Sequence, residues 1–130
     1  MAHYIWMVLT NATPGTDEAF NRWYQEEHIP DLLRVPGILS AQRFKVTPRQ
    51  MVNVNGALAM VDTTTENAPH RYMAIYNIET DDIERVLVDI LSRAGTPDMI
   101  LSDTLFMGPA ATPAGPETMC FEAVAPLTKR

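Results

Sequence analysis

The sequence FNRWYQEEHIPDLLRVPG, residues 20–37, begins as an amphipathic helix and then departs from that pattern. Residues three and four apart lie on the same side of a helix. One apolar face at this spacing is formed by Phe20, Trp23 and Tyr24. The next two positions on that face are Glu27 and His28. A carboxylate and an imidazole where carbon should be buried indicate either a polar helix end or a functional site.

The composition predicts one globular domain of ordinary size. The chain has 130 residues, 46% of them hydrophobic, and a net charge of −6, which suits a single folded domain. No cluster of Lys and Arg appears in the sequence, so binding to nucleic acid is not expected. No apolar run approaches the length of a membrane span. The single cysteine, Cys120, and the lack of a recognisable secretory signal favour a cytoplasmic protein.

The predicted elements follow one another in the order β-α-β-β-α-β. Runs of β-branched and aromatic residues bounded by turn residues predict strands at residues 3–10, 38–46, 70–78 and 119–124. Residues 99–107, MILSDTLFM, are the alternative for the last strand. This order is that of an α+β, ferredoxin-like fold with a four-stranded antiparallel sheet. Such a sheet leaves one face without helices, and an apolar face of that kind is commonly covered by a second copy of the chain.

The two predicted helices differ in how they end. The first is capped by Thr16 and is expected to break or kink near His28, because Pro30 disfavours helical geometry at the residue before it. The second is capped by Thr80, carries an uninterrupted apolar stripe and ends at Gly95. The unusual polar positions are therefore confined to the first helix.

A single domain is expected to span residues 1–130, with two irregular parts. Residues 47–69 contain the turn signal Asn55-Gly56. They could form a small hairpin, a mobile loop or an adaptable lid over a pocket. Residues 107–118 are rich in proline and are expected to form a loop.

The stretch from residue 20 to residue 44 resembles the signature of EthD-like proteins in the dimeric α/β-barrel superfamily. The resemblance lies in a Trp-Tyr pair, a histidine four residues after the tyrosine and a Pro-Gly before the second strand, namely Trp23, Tyr24, His28 and Pro36-Gly37. It implies a homodimer whose two sheets meet as a barrel, with a pocket between each sheet and its own helices. The superfamily includes isomerases, cyclases, monooxygenases, heme-using enzymes and accessory proteins, so fold alone does not select a reaction.

Proton chemistry on a small molecule is the function that the candidate residues favour. A histidine titrates near neutral pH, and a tyrosine hydroxyl can donate to a developing oxyanion. We therefore predict His28 and Tyr24 as catalytic residues, with Glu27 or Asp31 as an open choice of assistant to His28. Arginine binds carboxylates in bidentate pairs, and Arg43 is the first choice because it interrupts a strand. The residues predicted to bind substrate are Phe20, Trp23, Arg43, His70 and Arg71.

The leading hypothesis is a cofactor-independent isomerase of a small unsaturated carboxylate, such as a ring-cleavage product of aromatic catabolism. It would shift a proton along a conjugated system or interconvert cis and trans double bonds. A hydrolase, lyase or cyclase would use the same residues. Two further hypotheses are a non-catalytic dimeric accessory module, in which His28 is structural, and a heme- or oxygen-using enzyme. No metal site is predicted, because the three histidines lie on separate elements.

Overall fold

Four of six strands form the central sheet in the computed structural model, which describes residues 1–109 and 113–130. The strands are β1 (Ala2–Thr10), β2 (Ile38–Lys45), β3 (Arg49–Val54), β4 (Ala57–Asp62), β5 (Tyr72–Thr80) and β6 (Glu117–Glu122). The sheet is antiparallel in the order β2-β5-β1-β6, and β3 pairs with β4 as a separate hairpin. The predicted α+β, ferredoxin-like fold is confirmed.

Helices cover one face of the sheet. They are α1 (Asp17–Trp23), α2 (Ile29–Leu33) and α3 (Ile83–Arg93). Successive side chains of a strand point to opposite faces, and β5 buries every second residue against the helices, namely Tyr72, Ala74, Tyr76 and Ile78. The core between sheet and helices also contains the fully buried side chains of Phe20, Leu32 and Val35.

The other face of the sheet has no helix over it among the described elements. Residues that pair directly across neighbouring strands share a face. The apolar residues of this open face are Ile5, Met7, Leu9, Phe44, Met73, Ile75, Met119 and Phe121. Met119 and Phe121 on β6 are 55% and 47% exposed. The open face therefore presents a contiguous apolar surface to the solvent.

The first helix was predicted to break or kink near His28. It does not break there, but its regular α-helical pattern changes at this point. A π-helical turn, Tyr24–His28, connects α1 directly to α2. The N–H of Ile29 donates to the carbonyl of Tyr24, five residues earlier. Pro30 has no N–H, so an ordinary helical ladder must lose a bond at this point, and the chain meets that loss with a wider turn. π-helical turns are rare in proteins, and many of those that occur lie at functional sites.

The second helix begins two residues later than predicted. Thr80 is the last residue of β5, and the cap is Asp82, whose side chain accepts a hydrogen bond of 3.1 Å from the N–H of Arg85. A carboxylate caps a helix at least as well as a hydroxyl. Thr80 still contributes, because its hydroxyl accepts from the N–H of Asp82 at 3.1 Å.

The Pro-Gly before β2 is explained by packing against α3. Gly37 has a φ of +101°, and a Cβ at this position would lie 3.1 Å from Cγ2 of Val86. Glycine is the residue that best tolerates a positive φ. The chain can therefore turn closely past α3 as it enters the sheet.

The segment 47–69 contains the β3–β4 hairpin, which is one of the three forms expected for it from the sequence. It turns at Asn55 and Gly56, which both have a positive φ, of 51° and 90°, as a tight hairpin turn requires. The proline-rich loop predicted at 107–118 includes residues 110–112, which lie outside the described residues, and its end overlaps β6. None of the helices in the described part of the chain has the length and apolar character that a membrane crossing requires.

Candidate functional site

His28 lies in the interior, with 8% of its surface exposed. Its ring stacks on that of Trp23, with centroids 4.7 Å apart and planes 24° apart. It also meets the ring of Tyr24 nearly at a right angle, at 4.8 Å. Of the two assistants left open, Glu27 is exposed to solvent, whereas Asp31 is close enough for its charge to act on the imidazole.

The imidazole of His28 is neutral at physiological pH. Burial lowers its pKa to about 4, with Asp31 opposing the shift and Arg43 reinforcing it, because a charged ring would lose its hydration. Its Nδ1 is buried and has no hydrogen-bond partner among the described residues. An unpaired buried polar atom costs about 1–3 kcal/mol, so a role in binding or catalysis is a natural reason for its presence.

The hydroxyl of Tyr24 is paired in the interior. It lies 3.2 Å from the hydroxyl of Tyr76, and Tyr24 is only 2% exposed. Burial raises the pKa of Tyr24 and also that of Tyr76, so both hydroxyls stay protonated at neutral pH. Either hydroxyl can be the donor in this pair, so Tyr24 can accept from Tyr76 and donate its own O–H to a substrate oxygen. Its catalytic role stays a prediction.

Arg43 reaches from β2 over the ring of Tyr24, with its Cζ 4.6 Å from the ring centroid. Its Nη2 donates to Oδ1 of Asn21 at 2.7 Å, and its Nη1 donates to the carbonyl of Asn21 at 3.3 Å. Burial lowers its pKa, but a guanidinium keeps its charge at any physiological pH. No carboxylate of the described residues forms a salt bridge with it.

Asn21 connects Arg43 to a tyrosine and a carboxylate. Its Nδ2 donates to the hydroxyl of Tyr72 at 3.3 Å, and that hydroxyl donates to Oδ2 of Asp17 at 2.6 Å. Burial and the hydrogen bond to Asp17 raise the pKa of Tyr72. These hydrogen bonds fix the guanidinium through Asn21. Its other N–H groups have no partner among the described residues and can bind an anion.

Sequence analysis did not identify Asp17, Asn21 or Tyr72 as site residues. A signal for the first two was present, because Asp17 and Asn21 are four residues apart and continue the helical stripe of Tyr24 and His28 towards the N terminus. No comparable signal exists for Tyr72, which reads as an ordinary strand residue.

Three adjoining cavities surround Tyr72 and the base of the hairpin. One of about 220 Å³ is lined by Asn21, Arg43, Phe44, Lys45 and Tyr72. A larger cavity of about 490 Å³ shares Phe44, Lys45 and Tyr72 with the first and adds, among others, His70, Arg71 and Glu117. A third, of about 290 Å³, shares Arg71 with the second and includes Asp17. Each of Arg43, Lys45 and Arg71 thus lines at least one of three cavities that share lining residues.

His70 and Arg71 precede β5 instead of beginning it. The side chain of Asn11 donates to the carbonyl of Pro69 at 2.8 Å and accepts from the N–H of Arg71 at 2.9 Å. The carbonyl of Arg71 accepts from the N–H of Val46 at 2.8 Å, so its backbone still follows the line of the β2–β5 pair. His70 is 6% exposed, and its Nε2 lies 2.7 Å from the carbonyl of Gly115. Arg71 is exposed and lines two of the cavities.

The predicted site residues thus fall into two groups. Arg43, His70 and Arg71 line the adjoining cavities. The second group lies in the core behind them and lines none of the five principal cavities formed by the described residues; it consists of Phe20, Trp23, Tyr24 and His28. Tyr24 separates the two groups, because its ring contacts Arg43 on one side and His28 on the other.

Axial ligation of heme by His70 or His28 would need a free ring nitrogen that faces a cavity. Nε2 of His70 is already bonded to a carbonyl, and Nδ1 of His28 is buried. None of the principal cavities formed by the described residues opens onto His28.

The described residues contain no group of three or more His, Cys, Asp or Glu side chains that could hold a metal ion.

Comparison with known proteins identifies a family but not an activity. Residues 3–85 match the model of a family described as a domain of unknown function, DUF4286. No curated protein matches the chain. The EthD resemblance stays a prediction at the level of family, while its fold is confirmed.

Solved structures of similar fold share little sequence with this chain. The heme-degrader MhuD from Mycobacterium tuberculosis, solved with two hemes in its active site, is 14% identical, with 96% of this chain and 99% of that chain covered and a TM-score of 0.51. A protein of unknown function from Nitrosomonas europaea is 12% identical, with 100% and 97% covered and a TM-score of 0.50. An EthD family protein from Bacillus halodurans is 14% identical, with 95% and 100% covered, and its TM-score of 0.42 is too low to carry an argument. The first two of these similarities show the fold alone.

Proposed function

We propose that this chain, which belongs to the DUF4286 family, described as a domain of unknown function, is a cofactor-independent enzyme. It would move a proton on a small unsaturated carboxylate. The reaction we infer is isomerisation, by a double-bond shift or cis–trans change. One observation carries the proposal: a buried, neutral imidazole, His28, has an unpaired Nδ1 inside an aromatic shell, with the ring of Tyr24 between it and Arg43.

The state of His28 suits a reaction in which a proton leaves one carbon and returns to another. With a pKa of about 4, the imidazole is deprotonated at neutral pH and can accept a proton through Nδ1. Its protonated form is a stronger acid than an ordinary imidazolium, so it returns the proton readily. An isomerisation of this kind has no net change in protons or electrons and requires no co-reactant.

Arg43 is the group that would hold the substrate carboxylate. Two of its five N–H donors bond to Asn21, and the others can form charge-assisted bonds with a carboxylate. Its positive charge lies next to Tyr24 and acts on His28. It would therefore also stabilise the negative charge that spreads over a conjugated carboxylate when a proton is removed.

Arg43→Gln is expected to raise KM for the carboxylate substrate about 10- to 100-fold, because a hydrogen bond to a charged group contributes about 1.5–3 kcal/mol. Unsaturated carboxylates are screened with the purified protein by their ultraviolet absorbance, and KM is measured for those turned over. Arg22→Gln, at an exposed position of α1 paired only with Glu18, is the control. An unchanged KM in Arg43→Gln would contradict the binding role.

A non-catalytic binding module is the second candidate, and one observation favours it. The stacking of His28 on Trp23 and its distance from the principal cavities of the described residues suit a structural residue. Under the enzymatic proposal, by contrast, the Trp23 ring or the turn 24–28 must move to admit substrate. If no conjugated carboxylate shows an absorbance change in the screen, the second candidate replaces the first.

We also propose that two copies of the chain pair through the open face defined above. Its apolar side chains have no cover among the described residues, and exposed apolar surfaces of this kind mark interaction sites. Light scattering at micromolar concentration is expected to give the mass of a dimer. Met7→Glu, at the centre of the face, is expected to give a monomer, whereas Leu91→Glu, on the exposed side of α3, leaves the dimer intact. A monomeric wild-type protein would contradict the pairing.

A further inference from the structure

We propose that the substrate carries two carboxylates, one bound by Arg43 and the second by Arg71, with Lys45 between them. This inference rests on the proposed function, because it extends the Arg43 site, and it adds a substrate class. The juxtaposition behind it is three cations around adjoining cavities at the end of the β2–β5 pair.

The three cations have no carboxylate partners of their own. Neither Arg43, Lys45 nor Arg71 forms a salt bridge within residues 1–109 and 113–130. By contrast, carboxylates pair with four other arginines, namely Arg22, Arg34, Arg49 and Arg93. In a chain with a net charge of −6, unpaired cations gathered at one set of cavities produce a local field that attracts anions.

Arg43 and Arg71 line different cavities, which favours one carboxylate for each of them. Arg43 is fixed on the ring of Tyr24 and by Asn21, and it lines only the 220 Å³ cavity. Arg71 lines only the 290 and 490 Å³ cavities. Lys45 lines both the 220 and the 490 Å³ cavities, so it lies at their junction.

The pairing of the strands gives the scale of the separation. Arg43 is opposite Ala74, and Lys45 is opposite Tyr72. Arg71 precedes Ala74 by three residues, which corresponds to roughly 10 Å along a strand. A short carbon chain with a carboxylate at each end, together with the reach of two arginine side chains, spans that distance.

Two carboxylates of the protein also line these cavities. Asp17 accepts the hydrogen bond of Tyr72, and Glu117 stands exposed in the lining of the 490 Å³ cavity. The three cations outnumber them, but Glu117 opposes an anion at the Arg71 end. Removal of its charge is therefore expected to strengthen the binding of a dicarboxylate.

The experiment compares two ligands with one conjugated chain. These are trans,trans-muconate, which is hexa-2,4-dienedioate, and sorbate, which is hexa-2,4-dienoate and lacks the second carboxylate. Isothermal titration calorimetry on the full chain is expected to show a Kd about 10- to 100-fold lower for muconate, because muconate forms one further charge-assisted hydrogen bond. Arg71→Gln removes this difference and leaves sorbate binding unchanged. Glu117→Gln lowers Kd for muconate, and Arg71→Lys keeps most of the difference because it keeps the charge.

The outcomes separate this inference from the proposed function. Equal Kd values for the two ligands, or muconate binding unaffected by Arg71→Gln, overturn the second carboxylate site. If Arg43→Gln raises Kd for both ligands in that case, the proposed function stands without a second carboxylate site. If neither ligand binds to the wild-type protein, the inference is overturned together with anchoring at Arg43. Arg85→Gln, an exposed position on α3, is the control and leaves both Kd values unchanged.

Discussion

His28→Leu is expected to lower turnover by about 10²- to 10⁴-fold, the usual contribution of a general acid or base. The free energy of unfolding is expected to stay within about 1 kcal/mol of the wild-type value or to rise above it. Leucine has nearly the volume of histidine, so the substitution leaves no large cavity. The prediction thus separates loss of chemistry from loss of structure.

The stability part of this prediction follows from the unpaired Nδ1. Replacing that atom with carbon removes the cost of an unpaired buried polar group, which raises the free energy of unfolding by about 1–3 kcal/mol. The lost stacking of His28 on Trp23 offsets this gain by about 0.5–1.5 kcal/mol. A histidine that served only the structure would behave in the opposite way, because its removal would destabilise the protein without changing turnover per folded molecule.

Both quantities are measured on the same preparations. Urea denaturation gives the free energy of unfolding, and ultraviolet absorbance gives turnover with a substrate found in the screen. Glu27→Gln, one residue before His28 and exposed to solvent, is the matched control and is expected to change neither. A loss of more than about 2 kcal/mol in His28→Leu with full specific turnover would reject the general-base role and favour the binding module.

The free energy of unfolding is also expected to fall by roughly 3 kcal/mol between pH 7 and pH 4 on account of His28 alone. The pKa of its imidazole is 6.5 in an unperturbed chain and about 4 in the folded protein. Above pH 6.5 the ring is neutral in both states. Between these two values only the unfolded chain binds the proton, so stability declines as the pH falls. Below pH 4 both states are protonated, and the contribution levels off.

Urea unfolding at a series of pH values tests this dependence in the wild-type protein and in His28→Leu. Carboxylates titrate in the same range in both proteins, so the difference between the two curves isolates His28. The difference is expected to be flat above pH 6.5 and to change steadily down to pH 4. Parallel curves over the whole range would show that the imidazole has the same pKa in the folded protein as in the unfolded chain. That result would contradict the proposal that His28 is a buried base with a lowered pKa.

The fold was largely predictable from the sequence, because strand and helix patterns are local. Apolar periodicity and turn residues predicted the four strands of the sheet in their order along the chain, and both main helical regions. The errors occur where one side chain changes a backbone hydrogen bond. Pro30 leads to a π-helical turn instead of a break, and the Asp82 carboxylate caps α3 in place of Thr80.

The sequence by itself determined which residues share the inner face of the first helix, since helical spacing places His28 in line with Phe20 and Tyr24, and all three are buried. Only the tertiary structure decided what these residues contact. Tyr24 meets Tyr76 across 52 positions and Asp17 meets Tyr72 across 55, and the low pKa of His28 arises from the burial that this packing produces. The physical reason is that spacing along one helix orients side chains, whereas strand register and helix packing bring distant residues within hydrogen-bond distance.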